Sequence, residues 1–93
     1  MAKHKQAAKR ARQAQKRAAR NVAIVSRVKN AVRSFRDALA KGDRAAVETA
    51  LKKAAQHLQR AASKGVLHKR NAARRVSRLM RARAKQIATA VQQ

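Results

Sequence analysis

Proline is absent from this 93-residue chain, and glycine occurs only at Gly42 and Gly65. Those two positions are the only strong helix breaks the chain contains. Between them the sequence is rich in alanine, the best helix former, and the aromatic residues that favour strands reduce to a single Phe. Each glycine sits in a short polar punctuation, Lys41-Gly42-Asp43 and Ser63-Lys64-Gly65. Glycine just past a helix end and aspartate just before the next are the residues those two positions favour. The chain therefore predicts an all-α fold with helices over about residues 5–41, 44–62 and 67–90.

Apolar spacing supports each helix. Val22, Val25, Val28, Val32, Phe35 and Leu39 recur at steps of three and four in the first. Val47, Leu51, Ala54, Leu58 and Ala61 do so in the second, and Ala73, Val76, Met80, Ala84, Ile87 and Val91 in the third. Three amphipathic helices joined by short turns pack as antiparallel neighbours, which gives a three-helix bundle in a single domain, residues 1–93. The first helix is too long for it, spanning about 55 Å at 1.5 Å per residue. Its first twenty residues carry only alanines on the apolar side (Ala7, Ala11, Ala14, Ala18). Residues 1–20 are thus expected to project as a basic extension, with the bundle over 21–93.

Charge selects the partner. Twenty-six Lys and Arg against three acids give +23, and self-repulsion at that density calls for a polyanion. Lys5, Lys9, Arg12, Lys16, Arg20 and Arg27 form a line opposite the alanines, broadened by Lys3, Arg10 and Arg17. Arg70, Arg74, Arg78, Arg81 and Lys85 form a second line on the third helix, flanked by Arg75 and Lys69. Ordinary solvated faces mix the two signs; single-sign stripes on two helices suit phosphate backbones. Residues 37–63 hold all three acids against five basic residues, so the middle helix is expected to face away from the polyanion. Small residues such as Ala72, Ala73 and Ser77 would allow close approach to a sugar-phosphate chain.

Nothing in the sequence points to catalysis. Asp43 has a capping role, while Asp37 and Glu48 stand four residues before Lys41 and Lys52, with Arg44 four before Glu48, as helix-surface pairs do. His4, His57 and His68 lack metal-ligand spacing, and there is no cysteine. No serine has a base at a recognisable spacing, and no glycine-rich phosphate loop exists. The expectation is no catalytic residue, no metal, no cofactor and no small-molecule substrate. A secretory signal and a membrane-spanning run are not visible, the longest apolar stretch near the N-terminus being Val22-Ala23-Ile24-Val25. An arginine-rich, acid-free N-terminus also suits a mitochondrial presequence, but here the basic pattern continues far beyond a removable segment.

Residues 61–69, Ala-Ala-Ser-Lys-Gly-Val-Leu-His-Lys, with Ala72-Ala73-Arg74-Arg75 and Ser77-Arg78-Leu79, closely resemble the signature of bacterial small-subunit ribosomal protein number twenty. Lys9-Arg10-Ala11-Arg12, Lys16-Arg17 and Arg20-Asn21 are similar to that family's N-terminal pattern, and Gly42-Asp43 stands where the family turns into its second helix. Two positions depart from the pattern: Arg70 separates the His-Lys pair from Asn71, and Val76 stands where lysine is common. The resemblance implies a cytoplasmic protein of the small ribosomal subunit whose first helix inserts among helices of 16S ribosomal RNA early in assembly. It adds Asn21, Lys64, His68 and Ser77 to the cationic residues expected to contact RNA. The implied partners are 16S ribosomal RNA and other small-subunit components, with no membrane and no homo-oligomer. The competing reading is a histone-like protein that compacts DNA; a membrane-active helix would need bulkier apolar residues than the alanines of 1–20.

Overall fold

The computed structural model describes the backbone of residues 2–92 and the side chains of residues 4–89. Three helices follow in order: α1 (Ala2–Lys41), α2 (Arg44–Ser63) and α3 (Lys69–Gln92), within three residues of the expected bounds. The first turn is two residues long. Gly42 takes a φ of 71°, a left-handed conformation that glycine adopts without the Cβ penalty. Asp43 then accepts a hydrogen bond from the Ala46 N–H at 3.2 Å on Oδ1, capping α2 as expected. The second turn is a Schellman ending. With Gly65 at φ 77°, the Val66 N–H donates to the Ala61 carbonyl at 2.9 Å and the Gly65 N–H to that of Ala62 at 3.1 Å. Val66 also packs against the core, closing the turn with an apolar contact.

The helices form a three-helix bundle in which α2 lies in the middle; α1 and α3 approach each other least. The core comprises Ile24, Val28, Phe35 and Ala38 from α1, Val47, Leu51, Ala54, Leu58 and Ala61 from α2, and Ala72 and Leu79 from α3. All five α2 positions are those the spacing marked. On α1 the buried line is shifted: Ile24 and Ala38 belong to it, whereas Val22 is 66% exposed. On α3 it is rotated by roughly a quarter-turn. Ala72 and Leu79 are buried, while Ala73, Ala84 and the 52%-exposed Met80 are not. Val91 lies outside the described side chains. Val76, also a member of the expected line, is half-buried and packs on the core.

Four of the eleven buried residues are alanine, so the helices approach closely but enclose little volume. Phe35, Leu58 and Val47 are the largest fully enclosed side chains, each contributing about 1.5–3 kcal/mol by leaving water. Two polar ties supplement them. Arg83 of α3 pairs with Glu48 of α2; the helix-surface pairs expected for Glu48 with Lys52 and Arg44 do not form. The Gln86 side chain donates from Nε2 to the Leu39 carbonyl at 2.7 Å, a second bond to an oxygen that also accepts from the Gly42 N–H at 3.1 Å, and so ties α3 to the end of α1.

The molecule measures 73 × 22 × 13 Å with a radius of gyration of 18.5 Å, where a compact domain of this size has about 13 Å. The excess is α1. Every side chain from His4 to Ala23 is exposed. The reason is legible along one line of the helix at steps of seven: Ile24, Ala31 and Ala38 are at least half-buried, but the two preceding members are Arg17 and Arg10. Where that line turns from aliphatic to cationic, the bundle stops and a bare rod continues.

Candidate nucleic-acid interface

The projecting rod of α1 has three kinds of surface. Lys5, Lys9, Arg12, Lys16 and Arg20 form a continuous stripe, and all are exposed. Arg10 and Arg17, expected to broaden it, instead extend the core-facing line, about 100° away. The remaining side is the ridge Ala7, Ala11, Ala14, Ala18, ending at exposed Val22. A rod with cations on two sides and a methyl ridge on the third can lie against a phosphate backbone and approach its sugars closely. Asn21 is exposed at the base of the rod. Lys3, expected to join this surface, has a side chain outside the described residues.

On α3, Arg70, Arg74, Arg78, Arg81 and Lys85 are all exposed. Because the buried line runs through Ala72 and Leu79, this stripe points almost directly away from α2, about 160° from the core. Lys69 opens α3 beside an apolar groove between α2 and α3, which also receives half-buried Ser77 and Met80. Lys64 is the C-cap residue of α2. His68 caps α3: its Nδ1 accepts from the Arg70 N–H at 3.1 Å, so a neutral ring carries its proton on Nε2. Asn71 Oδ1 accepts from Arg75 Nε at 3.0 Å, holding that guanidinium close to α3.

Three further cations join the surface that the spacing of the stripes did not pick out. Lys29, Arg33 and Arg36 follow one another along α1 and, with Asp37 and Arg75, line a cleft of about 400 Å³ between α1 and α3. Their spacing of four and three was a usable signal, masked because α1 already had a stripe on its other flank. Glu48 is engaged by Arg83 and Asp43 by the start of α2, so Asp37 is the acid that borders a cationic cleft. No group of three or more His, Asp or Glu residues that could hold a metal ion occurs among the described residues. None of the described helices is long and apolar enough to cross a membrane.

Comparison with known proteins gives this surface a context. The family described as Ribosomal protein S20 matches residues 2–91. The chain is 56% identical over 90 residues to the small ribosomal subunit protein bS20 of Anaeromyxobacter sp. (strain K), covering 97% of this chain and 99% of that one. It is 50% identical to the protein of the same name from Nitratidesulfovibrio vulgaris, over 88% of this chain and 94% of the other. For that of Oleidesulfovibrio alaskensis the identity is 48% over the same shares. Ribosomal proteins of this kind are structural components and not enzymes, in keeping with a surface organised by charge. The chain belongs to the ribosomal protein S20 family.

Proposed function

We propose that this chain is a cytoplasmic structural protein of the small ribosomal subunit that binds 16S ribosomal RNA directly and bridges several of its helices during assembly. The distribution of cations over different sides of one thin molecule carries this reading. The α1 stripe lies on the flank away from α3, the α3 stripe points away from α2, and Lys29, Arg33 and Arg36 occupy the flank between α1 and α3. A protein that coated a single duplex would gather its charge on one face. Charges on several sides let separate phosphate chains approach a common spacer, each neutralised contact releasing counterion. A-form helices contacted this way are recognised by shape, phosphates and 2′-hydroxyls, which needs no aromatic platform. The candidate contacts on α1 are Lys3, Lys5, Lys9, Arg10, Arg12, Lys16, Arg17, Arg20, Asn21 and Arg27. On the bundle they are Lys64, His68, Lys69, Arg70, Arg74, Arg75, Ser77, Arg78 and Arg81.

Hydroxyl-radical footprinting of the purified protein on deproteinised small-subunit ribosomal RNA tests this directly. Protection of two or more separated RNA segments, surviving an excess of duplex DNA at physiological salt, is the expected result. Protection abolished by equal amounts of arbitrary duplex DNA would favour the DNA-compacting reading instead.

A further inference from the structure

At the shoulder where the rod leaves the bundle, α1 and the last two turns of α2 enclose a notch of about 300 Å³ lined by Ile24, Arg27, His57, Arg60 and Lys64. Resting on the RNA-binding reading above, we propose that this notch is a discrete seat for one phosphate group of an RNA backbone, gripped by Arg27, Arg60 and Lys64. The middle helix, the least charged of the three, thereby becomes part of the binding surface.

Four observations support it. First, three cations from two helices converge with no acid among the lining residues, and none of them has an acidic partner among the described residues. Like charges held together repel unless an anion sits between them. Arg60 and Lys64 also occupy the carbonyl end of α2, where cations are favoured; that eases their placement but supplies no counter-charge for Arg27. Second, the notch is a concavity with a floor. Ile24 is 8% exposed and His57 is half-buried, so water is partly excluded and charge-assisted hydrogen bonds gain strength. The volume, at the lower end of the range for small-ligand clefts, admits a phosphate with room to spare, and the three cations of the lining are what favour an anion there. Third, Arg27 is the last member of the α1 stripe. An RNA strand following Lys5 to Arg20 along the rod arrives at the notch without changing flank. Fourth, the other cationic cleft, between α1 and α3, contains Asp37 and so already holds part of its own counter-charge.

The test uses full-length protein and 16S ribosomal RNA, with Arg60→Gln as the notch variant and Lys52→Gln as an equal-charge control, exposed on α2 outside the notch. Affinity is measured across a salt series, alongside the triple variant Arg12→Gln/Lys16→Gln/Arg20→Gln on the rod. Loss of a seated, charge-assisted contact makes Arg60→Gln bind roughly tenfold more weakly and flattens the salt slope by about 0.7–0.9, while Lys52→Gln changes affinity less than about twofold. With inorganic phosphate as probe, the melting temperature of the wild type rises over chloride at matched ionic strength, and Arg60→Gln loses most of that rise. Equal effects of Arg60→Gln and Lys52→Gln, with the rod variant still weakened, would overturn the notch and leave the RNA-binding reading standing. If the rod variant also bound as the wild type, both would fall.

Discussion

His68 shows how one side chain can carry a local structural role that the sequence does not announce. The family resemblance makes it a candidate RNA contact; in the structure its ring also accepts from the Arg70 N–H through Nδ1 and starts α3. Replacing His68 by Ala should therefore destabilise the free protein by about 1 kcal/mol, a fall of about 4–8 °C in melting temperature for a domain of this size. Asn, a strong cap, should restore most of it; equal losses in thermal melts of both variants would mean that the ring's packing matters and the cap does not. Asp43 was readable because aspartate is among the commonest capping residues, and histidine is not. Glu48 was misread for a different reason. Local spacing offered Lys52 and Arg44, but the tertiary fold brings Arg83 from 35 positions away, and no periodicity announces a partner that distant.

At the scale of the helix, legibility depended on how many apolar lines a sequence contains. On α2 only one line is apolar, and its five residues are the five that are buried. On α3 the residues Val76 and Ile87 stand between two lines, one through Ala72 and Leu79 and one through Ala73, Met80 and Ala84; alanine contributes equally to both. The first buries Leu79 and leaves Met80 exposed, and in it Arg83 meets Glu48 and Gln86 meets the Leu39 carbonyl, partners that the sequence spacing did not announce. Leu79→Ala should accordingly cost about 2–5 kcal/mol by leaving a cavity, and Met80→Ala no more than about 0.5 kcal/mol. Urea unfolding followed by circular dichroism would distinguish them, and the reverse order would restore the register read from the sequence. On α1 the rod was foreseeable from its length and its alanines. Its end was less so, because Arg10 and Arg17 were counted with the stripe although they stand on the line that becomes core at Ile24.

For the molecule as a whole, a +23 chain with a core one-third alanine is held together against its own field. Added salt screens that field over about 10 Å at 0.1 M and should raise the melting temperature of the free protein. The same salt should dissociate its complex with RNA, with affinity falling linearly on logarithmic axes. Calorimetry on the free protein and filter binding on the complex, run in one salt series, should give slopes of opposite sign; parallel slopes would mean that charge does not govern both states. The fold's flat arrangement has a kinetic consequence as well. Since α1 and α3 meet only marginally, nearly every tertiary contact joins neighbours in the chain across a turn of a few residues. Such near-neighbour topologies close inexpensive loops and fold within microseconds to milliseconds. The hairpin of α1 and α2 carries nine of the eleven enclosed residues, so it can form on a nascent chain before α3 has been synthesised.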